Sequence, residues 1–103
     1  MANTFKRQLA SLTTADTPVT AYTVPALTTT VVIGFIISNK TAAAIEVEIV
    51  AGGKVLGTAI PIPAGSSISP LDGKLVLEAA DTITVESDTL NSSDVILSIM
   101  EIA

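Results

Sequence analysis

The residue types that most enzymes use for catalysis are scarce in this chain. It contains no Cys and no His, which removes thiolate nucleophiles, histidine bases and the commonest zinc ligands. Its serines therefore lack a conventional activating base, and Lys40, Lys54 and Lys74 are expected in turns, where water keeps them charged. The sequence predicts no catalytic residue, no cofactor-binding residue and no metal ligand. We expect a protein that is not an enzyme.

Three short patterns could still carry chemistry. Glu46 and Glu48 share one face of a strand, as a glycosidase pair or a metal site requires. Alternating charge also keeps half-buried strands soluble, and we favour that interpretation. Residues 88–94 offer oxygen ligands for calcium, yet they lack the glycine and final glutamate of a helix-loop-helix site. Residues 52–54 (Gly-Gly-Lys) lack the flanking residues and the helix of a phosphate loop. Both segments are predicted to be turns.

Composition and charge predict a small folded domain with protein partners. The chain has 103 residues, of which 49% are hydrophobic and 15% charged, so one core is feasible and two independent ones are not. A net charge of −5 disfavours binding to nucleic-acid phosphates. The longest apolar run, residues 31–37, is too short to span a membrane, and no apolar signal-peptide segment follows Lys6 and Arg7. We therefore expect that the protein has no nucleic-acid or membrane partner and that it functions without being secreted.

Hydrophobic patterning predicts an all-β chain. Thr, Val and Ile dominate, and turn signals recur roughly every eight to twelve residues, as in sandwiches and barrels. Residues 44–50 alternate, with Ile45, Val47 and Ile49 facing the core and the two glutamates facing water; Ile83 and Val85 face inward in the same way. Proline and glycine clusters divide the chain into about eight strands, at 19–24, 28–38, 44–50, 55–60, 66–69, 74–77, 82–86 and 95–102. We predict one antiparallel, jelly-roll-like β-sandwich over residues 1–103, with 1–10 either a docking arm or an edge strand.

Two predicted strands are apolar on both faces. Residues 31–37 are apolar at odd and even positions, and residues 95–102 have apolar side chains on both sides. A two-layer sandwich covers only one face of each sheet, so the second face must meet another protomer or a separate partner. We therefore predict a homo-oligomer, dimer or trimer, with inter-subunit contacts at Val32, Ile36, Ile96, Met100 and Ile102. A β-bulge would change this assignment, and central strands with singly exposed aliphatic residues are the alternative.

Four segments carry a resemblance to a known family. They are MANTFKR at 1–7, PIPAGSSI at 61–68, GKLVLEAADTITV at 73–85 and SIMEI at 98–102. Together they resemble short virion structural proteins of tailed bacteriophages. The resemblance implies an apolar-rich β-sandwich without catalytic residues, made in the host cytoplasm and located in the virion, in the head, neck or tail.

These expectations define a function and two alternatives. The leading hypothesis is a non-enzymatic virion protein that decorates or cements the capsid or neck by bridging neighbouring subunits. Its partners are then copies of itself and a larger protein, such as the major capsid protein or a neck or tail protein. One alternative is a tail, baseplate or fibre-attachment subunit. The other is a glycan- or receptor-binding module, although the chain has only Phe5, Tyr22 and Phe35 to stack on sugar rings.

The segment 3–7 is the candidate docking arm. In this hypothesis Phe5 fills a pocket on the larger protein, and the cations Lys6 and Arg7 meet acidic groups there. A simple edge strand of the same sandwich is the alternative.

Overall fold

The computed structural model describes residues 3–103, and these residues form nine β-strands. The strands are β1 (Asn3–Leu12), β2 (Val19–Thr23), β3 (Thr29–Asn39), β4 (Ile45–Ala51), β5 (Lys54–Ile62), β6 (Ser67–Ile68), β7 (Leu75–Leu77), β8 (Thr82–Ser87) and β9 (Ser93–Ile102). The predicted all-β class is confirmed. None of the described residues belongs to a helix long and apolar enough to cross a membrane.

The strands form two antiparallel sheets that pack on each other. Sheet A has the order β1-β9-β3-β6, with β7 also paired to β3, and sheet B has the order β2-β8-β4-β5. The chain crosses repeatedly between the sheets, which gives the two interleaved Greek keys of a jelly roll. β6 and β7 pair with different segments of β3, so together they occupy the position next to β3 in sheet A. The predicted jelly-roll-like sandwich is confirmed.

Residues 3–12, for which the sequence left an arm and an edge strand open, form strand β1. All ten residues pair with β9 in one unbroken antiparallel register, from Asn3 opposite Ile102 to Leu12 opposite Ser93. β1 therefore lies at the edge of sheet A, and it is the strand beyond the eight counted from the sequence. Residues 1 and 2 of the predicted segment lie outside the described residues.

The core fills the space between the two sheets. Ile45, Val47 and Ile49 of β4 are at most 1% exposed, and Ile83 and Val85 of β8 are fully buried. From sheet A, the inward side chains of β9 are Val95, Leu97 and Ile99, each at most 1% exposed. Burying one such side chain stabilises the fold by about 1.5–3 kcal/mol. The inward faces predicted for β4 and β8 are confirmed.

The Gly-Gly-Lys segment forms the β4–β5 hairpin turn. Ala51 pairs with Lys54, and the intervening Gly52 and Gly53 have φ values of 58° and 78°. Two consecutive positive φ angles are typical of the tight turn whose twist matches a hairpin. Glycine is therefore required for the turn, as the sequence predicted.

A β-bulge in β3 corrects one predicted contact residue. Val32 pairs with Ile99 and Gly34 pairs with Ser98, so Ile33 is an extra residue without its own partner. The bulge shifts the alternation, and Val32 joins Phe35 on the inward face, where Val32 is 0% exposed. The prediction that Val32 contacts another subunit is wrong, because its side chain is enclosed in the core.

Candidate functional site

The outer face of sheet A is apolar across four strands. Phe5 lies opposite Met100, Met100 opposite Val31, and Val31 opposite Val76. A second row joins Leu9, Ile96 and Ile36 in the same way. Residues that face each other in an antiparallel register project to the same side of the sheet. We name these seven residues the apolar face: Phe5, Leu9, Val31, Ile36, Val76, Ile96 and Met100.

Five residues of the apolar face are strongly exposed. Phe5 is 72% exposed, Val76 62% and Leu9 57%, while Ile36 and Ile96 are 41% and 42% exposed. With strands about 4.8 Å apart, the first row spans four strands and about 19 Å, and the second spans three strands and about 14 Å. At a rise of about 3.4 Å per residue, the two rows lie about 14 Å apart along the strands. Single exposed aliphatic residues are common on proteins. Here two apolar rows are separated only by the row of Arg7, Ser98 and Gly34, and together they form a patch of the size that is often functional.

Three of the five predicted contact residues lie on the apolar face: Ile36, Ile96 and Met100. Ile102 lies beyond the first row, opposite Asn3 and Thr29, and is half-buried. Sequence reasoning assigned Phe5 to a segment that could be an arm or an edge strand, and it did not select Leu9, Val31 or Val76 as contact residues. Their spacing within each strand carried no signal, because only the register between strands brings them together.

A polar cluster closes the apolar face at one end. The hydroxyl of Ser11 donates to Asp94 Oδ1 over 2.8 Å, and Lys40 Nζ lies 3.2 Å from the same oxygen. These two contacts lower the pKa of Asp94 below its ordinary value, Ser11 contributing most. Beside the cluster is a depression of about 280 Å³, lined by Leu9, Ala10, Ser11, Asp94, Val95 and Ile96.

Lys6 has a partner within its own chain. Its ammonium lies 2.8 Å from Glu101 Oε1, and the hydroxyl of Tyr22 donates to Glu101 Oε2 over 2.6 Å. Thr30 Oγ1 lies 2.8 Å from the same tyrosine oxygen. The network joins β1, β3 and β9 of sheet A to β2 of sheet B. Of the three residues singled out in the predicted arm, Phe5 and Arg7 project to the outer face of β1 and Lys6 to the opposite face.

The network shifts the pKa values of both of its buried acids. The hydrogen bond from Lys6, followed by that from Tyr22, lowers the pKa of Glu101. Burial, reinforced by the Glu101 carboxylate, raises the pKa of Tyr22 to about 12. Charge-assisted hydrogen bonds of this kind are stronger than neutral ones. The network therefore stabilises the packing of the two sheets.

The outer face of sheet B is acidic. A depression of about 230 Å³ is lined by five carboxylates, those of Asp16, Glu46, Glu48, Glu86 and Asp88. Glu48 lies directly opposite Glu86 in the register. Desolvation, followed by the negative charges of Glu48 and Asp16, raises the pKa of Glu86 above its ordinary value. Among residues 3–103, no group of three or more metal-ligating side chains is arranged to hold an ion.

In the segment 88–94 that was considered for calcium, several oxygens have hydrogen-bond partners within the chain, whereas the buried Ser93 Oγ has none among the described residues. Asp88 Oδ1 accepts hydrogen bonds from the backbone N–H of Glu46 at 3.2 Å and from the Thr89 hydroxyl at 2.9 Å. The Ser92 hydroxyl donates to the Thr89 carbonyl at 2.8 Å and lies 2.7 Å from the Ser87 hydroxyl. These bonds are typical of a side-chain-stabilised turn.

Comparison with known proteins establishes a fold likeness. No protein-family model matches the chain, and no curated protein matches it, so these two comparisons lend no support to the resemblance to phage virion proteins. Among solved structures, the chain is similar to a Bacillus endospore appendage protein, described as one of a family of disulfide-linked pili. The TM-score is 0.50 at 19% identity, over 96% of this chain and 85% of that one. At this identity, the likeness concerns the fold alone.

Proposed function

We propose that this chain is a non-enzymatic structural subunit of a multi-copy assembly, which it joins through the apolar face. The observation that carries the proposal is the continuous run of apolar side chains over four strands, outside a core that is already complete. Covering such a surface removes apolar area from water, which is the main favourable contribution to most protein association.

The setting we propose is a tailed-phage virion, where the chain decorates or cements the capsid or the neck by bridging neighbouring subunits. The sequence resemblance in residues 1–7, 61–68, 73–85 and 98–102 supports this setting. A tail, baseplate or fibre-attachment subunit would use the same face in the same way.

A second candidate setting is a surface appendage. The fold likeness to a pilus protein of Bacillus endospores favours it. That protein is described as disulfide-linked, whereas this chain has no Cys. Contacts between copies of this chain are therefore non-covalent in the proposal, and the apolar face supplies them.

Two other classes of function receive less support from the geometry. An enzyme would need an activated nucleophile or an acid and base pair, and the carboxylates of sheet B line an open surface depression. A glycan-binding module would need exposed aromatic rings. Tyr22 and Phe35 are 5% and 2% exposed, and Phe5, the remaining aromatic residue, belongs to the apolar face.

The proposal is tested by locating the protein in the material that produces it. Immunogold electron microscopy with antibodies against the recombinant chain is applied to purified phage particles and to purified cell-surface filaments. Label on capsids or necks supports the virion setting, and label along filaments supports the appendage setting. A chain found only free in solution, in neither structure, would overturn the proposed function.

A further inference from the structure

The apolar face has a protrusion at one end and a depression at the other. The ring of Phe5 is 72% exposed and stands on the edge strand β1. The depression of about 280 Å³ lies four residues further along the same strand, where Leu9 faces Ile96. A surface that carries both a protruding side chain and a recess can fit a copy of itself.

The row of the outer face that lies between Phe5 and the depression has small side chains on β9 and β3. Arg7 lies opposite Ser98, and Ser98 lies opposite Gly34. Ser98 and Gly34 have the smallest side chains of the outer face, so another sheet can approach closely there. Arg7 is on the edge strand, and its long side chain can extend past the edge into water.

Resting on the proposed function, we propose that two copies pair their apolar faces around a two-fold axis that crosses the strands at the level of Arg7 and Ser98. Rotation about this axis exchanges the two ends of the face. It therefore places Phe5 of each copy over the partner subunit's Leu9, at the depression. The same contact occurs twice, as in closed two-fold dimers, so the dimer is the building unit and any contact that extends the assembly uses another surface.

Charge disfavours a head-to-tail arrangement. Stacking sheet A of one copy on sheet B of the next would bring the apolar face onto five carboxylates. Burying unpaired carboxylates against apolar side chains is costly. Pairing the apolar faces leaves both acidic faces in water. In the two-fold arrangement, Arg7 is level with the partner subunit's Arg7, and each must extend past the sheet edge into water.

The size of the face predicts a weak dimer. The rectangle that encloses both apolar rows and the row between them measures at most about 320 Å² from the strand spacing and rise, whereas a standard specific interface buries about 800 Å² per partner. We therefore expect monomer and dimer to exchange with protein concentration.

A charge exchange across the axis tests the geometry by sedimentation equilibrium. The full-length chain is expected to form a dimer. Phe5→Glu and Leu9→Lys should each weaken it at least tenfold, because each places a charge in the contact. The double variant should regain most of the affinity, because the new glutamate faces the partner subunit's new lysine. Within one copy the two positions are about 14 Å apart along the strand, so the rescue reports the contact between copies.

Val55→Lys is the matched control. Val55 is 57% exposed, like Leu9, but belongs to β5 of sheet B, so its substitution should leave the dimer unchanged. Circular dichroism checks that every variant retains its β-sheet spectrum.

The outcomes separate this inference from the proposed function. A monomeric native chain at high concentration would overturn the two-fold dimer, while immunogold label on a particle or filament would still support the proposed function. Assemblies larger than a dimer, or a dimer that the double variant does not regain, would overturn the geometry alone.

Discussion

The outer faces of the two sheets differ sharply, although both sheets are built from alternating strands. Outward positions of sheet A carry Phe5, Leu9, Ile96 and Val76. In sheet B, outward positions of β4 and β8 carry carboxylates, including the facing pair of Glu48 and Glu86, and exposed apolar residues such as Val55 lie on the edge strand β5. Each face has a cost for the isolated chain: exposed apolar area on one side and like-charge repulsion on the other. This difference is the reason that we propose the outer face of sheet A, and not that of sheet B, as the surface for binding.

The largest effects should come from introducing a charged residue on either side of β3, where the inward substitution affects stability and the outward one affects association. Val32→Asp should lower the free energy of unfolding by more than about 4 kcal/mol, or prevent folding, because an unpaired carboxylate is placed in the core. Ile36→Asp should cost less than about 1.5 kcal/mol, because Ile36 is 41% exposed, and should instead weaken association. Urea unfolding measures the first quantity and sedimentation the second.

Alanine substitutions at the same two positions keep this prediction testable if the Val32→Asp variant does not fold. Val32→Ala should cost about 2–3 kcal/mol through lost burial and a cavity, and Ile36→Ala less than about 1 kcal/mol. Equal costs for the two alanine variants would contradict the bulge at Ile33 and the inward position of Val32.

The next largest effect on the free energy of unfolding should come from the polar network between the sheets, to which Tyr22 and Glu101 belong. Tyr22→Phe removes the hydroxyl that donates to Glu101 and should lower the free energy of unfolding by about 1–2 kcal/mol. Thr23→Ala, at an exposed position of the same strand, should change it by less than about 0.5 kcal/mol. If the two substitutions had the same effect in thermal or urea unfolding, the network would not contribute to stability.

Acidic side chains in three parts of the molecule should make stability depend on pH in two opposite ways. The folded state raises the pKa of Glu86 above 4.5. It therefore binds a proton at a higher pH than the unfolded chain, and stability should rise as pH falls from 7 toward 4.5. The pKa values of Glu101 and Asp94 are lowered from 4.5 and 3.8. The stability they contribute is present above these values and is lost as pH falls further.

Urea unfolding between pH 7 and pH 3 checks this profile. Glu86→Gln should raise stability at pH 7 and remove the increase between pH 7 and 4.5, while the loss at lower pH remains. A native profile that falls steadily from pH 7 downward would show that repulsion at Glu86 does not govern stability in this range.

The smallest effect is expected at the polar end of the apolar face. Lys40 and Asp94 form an ion pair whose side chains are 48% and 44% exposed, and water screens such pairs strongly. Lys40→Met should therefore change the free energy of unfolding by about 0.5 kcal/mol or less. A much larger change would show that this cluster supports the sheet rather than only bounding the apolar face.

The sequence by itself determined the β class, the hairpin at Gly52 and Gly53, and the inward faces of β4 and β8. Each follows from interactions among near neighbours: alternation in Ile45–Ala51 places Ile45, Val47, Ile49 and Ala51 on one side, and a two-residue turn needs positive φ angles. The apolar character of β3 and β9 was visible in the same way, and it pointed to contacts between copies.

Only the tertiary structure decided which residues share the outer face. The pairing of β1 with β9, and of β3 with β9 and β7, joins Phe5, Met100, Val31 and Val76 from distant parts of the chain. The bulge at Ile33 then turns Val32 into the core, a choice that depends on how β3 packs against both its sheet neighbours and sheet B. Local patterning fixes which strands form, but strand register and bulges arise from long-range packing, and these assemble the surface proposed for binding.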